Sequence, residues 1–369
     1  MNRYRILHII GARPHFMKLA PISRAIRQSE LFDEIVVHTG QHYTEELSEA
    51  FIREFSLEEP AYRLGIGSGT HCKQIGQVIL GLDEVLKHEH PDIVFVYGDT
   101  NSTAAGAIAA AKSGIPVAHI EAGLREGNKA IPEEINKLLT DAVSDIFFCP
   151  TQTGVDNLAL SGVTDNVFLV GDTVIDLIIQ NGTLISGAAA EVMTEAGLKA
   201  GRYYFLTCHR AANTNNTGHL REILSAVTQL ELPVIFPIHP RTRMAIEKRK
   251  LSAMLKNSNV VLIDPQGFWR TQALIKHARA TITDSGGVIK ESYFHKVPCI
   301  IIDRQTEWVE SVNEGWATVA GPDATAIIQA ANTPIQPSAH AHVPGDGTAT
   351  ELILKHTYEF LKRRQIDVA

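Results

Sequence analysis

Short β-branched and aromatic runs alternate with longer stretches of helical spacing along the whole chain. "YRILHIIG" reads as a buried strand ended by Gly11, and "PHFMKLAPISRAIRQ" after it carries apolar residues at helical intervals. "EIVVHTG", "DIVFVYGD", "PVAHIEAG" and "DIFFCPT" repeat the strand pattern, with helical segments such as "NSTAAGAIAAAKSG" between them. In the second half "NVFLVGD", "RYYFLTCHR", "PVIFPIHP", "NVVLIDP", "ATITDSGG" and "PCIIID" read as strands, and "GHLREILSAVTQL" and "GGVIKESYFHK" as helices. Strand, loop and helix in repetition predict an α/β fold whose parallel sheets are covered on both faces.

The pattern is weakest near 169–185, where "LVGDTVIDLIIQNG" reads as the connection between two sheets. Two domains follow, 1–169 and 170–369. "TATELILKHTYEFLKRR" is an amphipathic helix and "SAHAHVPGDG" a loop. A chain of 369 residues has room for two such domains. The formal net charge of −7 argues against a general affinity for nucleic acid or an anionic membrane, though not against local basic pockets. No run approaches the ~20 apolar residues of a membrane helix. The apolar run in "MNRYRILHIIGARP" is too short for a signal peptide. The four cysteines, Cys72, Cys149, Cys208 and Cys299, form no CxxC pair. A reducing, cytoplasmic setting without disulfides is expected.

In open α/β sheets ligands bind beyond the carboxyl ends of the strands. The residues there are Gly11 to Lys18, Gly40-Gln41-His42, Gly98-Asp99-Thr100 and His119-Ile120-Glu121 in the first half. In the second they are His209-Arg210, His239-Pro240-Arg241 and Asp284-Ser285-Gly286-Gly287. Histidines, carboxylates, arginines and glycines dominate these positions, whereas a solvated face would be richer in Lys and Ser. "TDSGGVIKE" brings two glycines between a strand and a helix, which lets backbone N–H groups approach a phosphate, or makes a plain tight turn. Glu291 on that helix is either within reach of a ribose diol or an exposed helix glutamate. Arg13 and Lys18 flank the first strand–helix turn, where neither G-x-G-x-x-G nor a P-loop pattern occurs. "HEH" at 88–90 and "HAH" at 340–342 lack zinc-site spacing and read as solvated surface. The run "HIEAGLREGNKAIPEEINK" gathers four glutamates, which is either a solvated face or an acid/base site.

Read in order, "GARPHFMKLAPI", "HTGQHY", "YGDTNST", "HIEAGLR", "PEEINKLLTD", "VGDTVID", "HRAAN", "PIHPRTR", "LIDPQGF", "TDSGGVIKE" and "TEWVE" resemble the UDP-N-acetylglucosamine 2-epimerase family over nearly the whole chain. The resemblance implies a GT-B-like arrangement of two Rossmann-like domains facing a central cleft, with the C-terminal helix, about 350–366, packing back on the first domain. It also implies a UDP-sugar substrate, a homodimer and no cofactor or metal. Family members of the non-hydrolysing type invert C2 by eliminating UDP to a 2-acetamidoglucal and adding it back. By the same resemblance Asp99, Glu121 and Glu133 match the acidic catalytic positions, His209 a group stabilising the departing diphosphate, and Arg13 and Lys18 the loop that contacts nucleotide and phosphate. Ser285, Gly286 and Gly287 match the phosphate turn, Glu291 the ribose ligand and Gln266 a loop near the uracil. Lys137 and His239 join the substrate-binding set, and Glu134 is expected to answer the helix dipole.

The chain departs from the better-known members at several places. Lys137 replaces an arginine, Ala212 a common glutamate, Ile289 a common glutamine and Trp308 an arginine. Substrate-activated members bind a second UDP-N-acetylglucosamine through "QHRxM" and a later arginine. Here Gln41 and His42 remain, Tyr43 and Thr44 differ, and "LGIGSGTHCKQIG" offers no arginine, so such activation is not expected. "LGIGSGTH", "YGDTNST" and "TEWVE" look closer to a branch that includes UDP-2,3-diacetamido-2,3-dideoxyglucuronate 2-epimerases. A hydrolysing epimerase that releases UDP and N-acetylmannosamine, a GT-B glycosyltransferase and a catalytically silent UDP-sugar sensor are the competing readings. The carboxylates disfavour the transferase, since it abstracts no C2 proton.

Overall fold

The computed structural model describes residues 3–41, 45–333, 335 and 337–368. The chain divides into two compact units, residues 1–180 with 344–369, and residues 181–343.

The first unit is built on a seven-stranded sheet. Its strands are β1 (Tyr4–Ile10), β2 (Phe32–His38), β3 (Tyr62–Arg63), β4 (Ile93–Tyr97), β5 (Val117–Ile120), β6 (Ile146–Cys149) and β7 (Val167–Leu169). They lie in the order 3-2-1-4-5-6-7 and pair in parallel throughout. Leu7, Ile9, Val37, Val94 and Val96 are fully buried beneath the flanking helices, which is why these strands are near-continuous apolar runs.

The second unit repeats the plan with six strands. These are β8 (Tyr204–Thr207), β9 (Val234–Pro237), β10 (Val260–Ile263), β11 (Ala280–Thr283), β12 (Cys299–Ile301) and β13 (Ala317–Val319), ordered 10-9-8-11-12-13. All pairs are again parallel. Leu206, Phe236, Ile282 and Ile300 carry its core. Each unit is thus an α/β, Rossmann-like body.

"NVFLVGD" supplies β7 to the first sheet, where it pairs with β6, in keeping with a first domain that runs to residue 169. The domain boundary needs correcting. The division falls after residue 180 instead of after 169, and the chain rejoins the first unit at 344. The helix Thr173–Gln180 packs on the helix Arg13–Arg27, and its Asp176 caps the C-terminal helix Ala349–Val368. The Asp176 carboxylate accepts the N–H groups of Ala349 (3.3 Å) and Thr350 (2.7 Å), two of the otherwise orphaned donors of a helix start. Aromatic contacts continue the seam: Tyr358 meets Tyr4 edge-on at 5.9 Å, and His356 stacks on Phe168 at 3.9 Å. No single helix among the described residues is long and apolar enough to cross a membrane.

Candidate functional site

In both sheets the strand order reverses beside the first strand of the unit, between β1 and β4 and between β8 and β11. A parallel sheet opens a crevice at such a point, because the helices on either side leave in opposite directions. Arg13, Lys18 and Asp99 follow β1 and β4. His209, Ser285, Gly286 and Gly287 follow β8 and β11.

At the first switch point Lys18 is 5% exposed and forms an ion pair with Glu121. The pair lies directly over Gly98. A Cβ there would come within 2.7 Å of Lys18 Nζ and 3.1 Å of Glu121 Oε2, and φ is +59°. Asp99, next in the chain, faces Lys137, whose Nζ is 3.5 Å from Oδ2. Burial raises the Asp99 pKa, the Lys137 and Lys18 charges oppose the rise, and Glu121 and Glu133 add to it. Glu133 is exposed and lines a cavity of about 240 Å³ with Asp99, Gln41, His71, Asn101 and Asn136. The three carboxylates singled out in the sequence therefore surround one point, with two lysines among them. Arg13 opens its helix instead of sitting in a loop, and its guanidinium lies 5.6 Å from the Phe51 ring centroid.

The backbone here is held by Asn136 and Asp141, which the sequence did not mark, and by His15, Gln41 and His119 of the strand-tip set. Asn136 donates to the Asp99 carbonyl (2.9 Å) and to Asn101 Oδ1 (3.2 Å). The His119 ring bonds Asp141 (2.6 Å) on one side and the Gly98 carbonyl (2.8 Å) on the other. His15, fully buried, accepts from Gly11 N–H (3.0 Å) and bonds Thr100 (3.2 Å). Gln41 Oε1 accepts from the N–H (2.9 Å) and hydroxyl (2.6 Å) of Ser102. Glu134, expected to serve the helix dipole, is buried and accepts from Glu126 N–H (2.7 Å) and Gly127 N–H (3.2 Å). It pins the loop before its own helix.

At the second switch point buried Asp284 ties the two strand tips together. It accepts from the N–H groups of His209 and Arg210 (both 3.0 Å) and from the Asn213 amide (3.0 Å). His209 Nδ1 stands 3.7 Å from its carboxylate. His239, distant in sequence, is brought beside His209, their rings 5.7 Å apart, and its Nδ1 accepts from Arg241 N–H (3.2 Å). Ser285 caps the helix Gly286–Phe294 by accepting from Val288 N–H. Glu291 is 4% exposed, which removes the exposed-glutamate alternative, and its Oε1 lies 3.6 Å from where a Gly287 Cβ would stand. The acid thus folds back toward the start of its own helix. Gly286 leaves little room for a side chain: a Cβ would meet Glu307 Oε1 at 3.0 Å and Trp308 Nε1 at 3.3 Å. Trp308 is buried, with Lys290 Nζ 5.0 Å from its ring centroid. Gln266 bonds the Asp264 carbonyl (2.7 Å) within its own loop.

In "HAH" Ala341 and His342 are exposed, as expected of solvated surface, and His340 alone is half-buried. His340 is part-buried against the Tyr293 carbonyl (2.7 Å), and His342 bonds Glu314 at 2.5 Å. Among the described residues no group of three His, Cys, Asp or Glu could hold a metal ion. His42, Tyr43 and Thr44, on which the second-ligand expectation partly rests, lie outside the described residues.

Two α/β units with parallel sheets and polar groups gathered at their switch points are of the Rossmann-like class, in which ligands bind beyond the strand tips. The comparisons sharpen this. The family model for UDP-N-acetylglucosamine 2-epimerase matches residues 24–357. A UDP-N-acetylglucosamine 2-epimerase homolog of Methanococcus maripaludis is 44% identical over 326 residues, 88% of this chain and 91% of the relative. The UDP-2,3-diacetamido-2,3-dideoxy-D-glucuronate 2-epimerase of Pseudomonas aeruginosa is 41% identical over 336 residues, 89% and 92% of the two chains. The crystal structure of Methanocaldococcus jannaschii UDP-GlcNAc 2-epimerase in complex with UDP-GlcNAc and UDP superposes with a TM-score of 0.87 at 35% identity, covering 95% of this chain and 98% of that one. The chain belongs to the UDP-N-acetylglucosamine 2-epimerase family.

Proposed function

We propose that the protein inverts C2 of a UDP-2-acetamido sugar without hydrolysis, converting UDP-N-acetylglucosamine to UDP-N-acetylmannosamine. The observation that carries this is the gathering of Asp99, Glu121 and Glu133 at one strand-tip switch point with Lys18 and Lys137. A carboxylate takes the C2 proton while the C1–O bond breaks, and the C2–H electron pair becomes the C1=C2 bond of a 2-acetamidoglucal. UDP leaves with the C1–O pair. It then re-adds at C1 as a second carboxyl delivers a proton to the other face of C2. The sum is redox-neutral, so no redox cofactor is required. A raised Asp99 pKa suits a group that both takes and gives protons near neutral pH.

Binding of the nucleotide falls to the second unit in this reading. The Ser285–Gly287 turn and the helix behind it offer N–H groups to the diphosphate, His209 stabilises charge on the leaving group, and Glu291 receives the ribose hydroxyls. Within the second unit His239, beside His209, and Gln266 join the substrate-binding set, and within the first unit Arg13 does. Incubation with the UDP-sugar in D2O, followed by proton NMR, tests the reaction. Deuterium at C2 with UDP still attached supports it. Free sugar plus UDP assigns the hydrolysing reaction, and no exchange removes both.

A second substrate, a UDP-2,3-diacetamido-2,3-dideoxyglucuronate, is favoured by the Pseudomonas aeruginosa relative. The same NMR experiment with each sugar separates the two by their rates of exchange. We further propose a cytoplasmic homodimer, which sedimentation at micromolar concentration checks.

A further inference from the structure

Lys137 is held between two carboxylates. Its Nζ lies 3.5 Å from Asp99 Oδ2 and 3.7 Å from Glu126 Oε2. The Glu126 side chain is 2% exposed and that of Lys137 5%, whereas Asp99 is 31% exposed and lines the cavity. One end of the bridge is therefore sealed in protein and the other opens where substrate would enter. The sealed end is fixed, because Glu134 grips the backbone N–H groups of Glu126 and Gly127.

Sharing matters because a lysine is a point charge on a flexible stem, without the planar fork that would fix an arginine against one carboxylate. Without the pull of Glu126 the ammonium would move toward Asp99 and favour its ionised form, making it a poorer proton acceptor. A second, buried carboxylate draws the ammonium back. We infer that Glu126 is a positioning residue: it restrains Lys137 midway, so that the Lys137 charge steadies Asp99 without fixing it in the ionised form. The inference rests on the reading of Asp99 as a proton-transfer group. The charged groups that act on Asp99 directly are Lys137, Lys18, Glu121 and Glu133, and His71 lines the same cavity. Glu126 acts through Lys137.

The test is a pH titration of the Asp99 side-chain carboxyl by carbon-13 NMR in the full chain, beside the pH profile of C2 deuterium exchange. Glu126→Gln keeps the size of the side chain and should move the Asp99 midpoint about one pH unit lower, as Lys137 closes on it. The low-pH limb of the exchange rate should move with it. Glu126→Asp should bring the midpoint back toward its original place, and Lys137→Met should move it the opposite way. A midpoint unchanged in Glu126→Gln, or moved upward, overturns the inference, as does a low-pH limb that stays in place while the midpoint moves. If the unaltered protein exchanges no C2 hydrogen, the proton-transfer reading falls and the catalytic part of the inference with it. The NMR titration still decides whether Glu126 positions the charge. A thermal melt of each variant checks that the fold is intact.

Discussion

The Lys18–Glu121 pair offers the sharpest separation of stability from chemistry. The two side chains are 7% and 14% exposed, so neither charge has water to fall back on. Removing one partner of such a pair strands the other and costs about 3–5 kcal/mol. The opposite charge of Asp99 lies near enough to act on Lys18, which places Glu121→Gln at the lower end, about 3 kcal/mol. In a unit of about 200 residues each kcal/mol moves the midpoint by roughly 2–4 °C, so a loss of roughly 6–12 °C is expected for that unit's transition. Lys18→Met should cost at least as much, because Glu121 is then left among other carboxylates. The double variant removes both charges and should recover to within about 1 kcal/mol of the original stability. Turnover should not recover: C2 exchange stays down by about 10²–10⁴ wherever Glu121 is glutamine. Glutamine is chosen over glycine because it leaves the backbone conformation of residue 121 as the constant in every arm. Scanning calorimetry and deuterium exchange read the two quantities. A double variant no more stable than the weaker single refutes the pair as the source of the loss, and full turnover in Glu121→Gln refutes its chemical role.

Three further outcomes follow from the geometry. Gly98→Ala should cost about 1–2 kcal/mol for a left-handed alanine, more from the clash with Lys18 Nζ, and should abolish measurable C2 exchange by prising the pair apart. His8, buried and bonded to the Tyr97 hydroxyl at 2.6 Å, has its pKa lowered by burial to about 3. The unfolded chain protonates near 6.5, so stability is full above that pH and falls as pH drops toward 3, by about 3–5 kcal/mol; urea unfolding of His8→Gln should show a flatter acid limb than the original protein. UDP at about 100 times its Kd should stabilise the protein by about 2.7 kcal/mol, and Glu291→Ala should cut that protection in thermal melts while ADP protects neither protein.

Much of this was legible in the sequence because strand cores and strand tips leave a pattern. "DIVFVYGD" and "ATITDSGG" turn polar where a parallel sheet ends, and Asp99 and Ser285 stand two residues beyond the last strand residue. β3 and β13 escaped, being two and three residues long with little buried surface to mark them. The place of β7 at the edge beside β6 was not legible, because the choice between sheet edges is not encoded in the hydrophobic pattern. The partnerships were the least visible part. Lys18 and Glu121 are 103 residues apart, and His209 and Asp284 are 75 apart. Nothing local distinguishes Asp284, which organises a turn, from Asp99, which faces a cavity. Only the topology that sets β8 beside β11 shows the difference.

The run that gathers so many glutamates shows at Glu121 what the fold sustains in order to gather them. This residue has φ +70°, the left-handed region that a non-glycine residue occupies at a cost of order 1–3 kcal/mol. Such a conformation persists only where the surroundings leave no alternative. The N–H groups of Glu121 and Ala122 both bond the Phe148 carbonyl, at 3.1 and 3.0 Å, and Gly98 N–H bonds the Ile120 carbonyl at 2.9 Å. Gly123, at φ +79°, passes so close to Gly154 that a Cβ would stand 2.2 Å from its carbonyl oxygen. These constraints turn the chain sharply as it leaves β5, so that the side chain of Glu121 meets Lys18 beside Asp99. A solvated glutamate needs no such arrangement, since any rotamer reaches water. The strained backbone, the missing side chain at Gly98 and the buried lysine have one common effect, the fixed placement of a carboxylate, and placement to within a fraction of an ångström is what proton transfer at a single carbon demands.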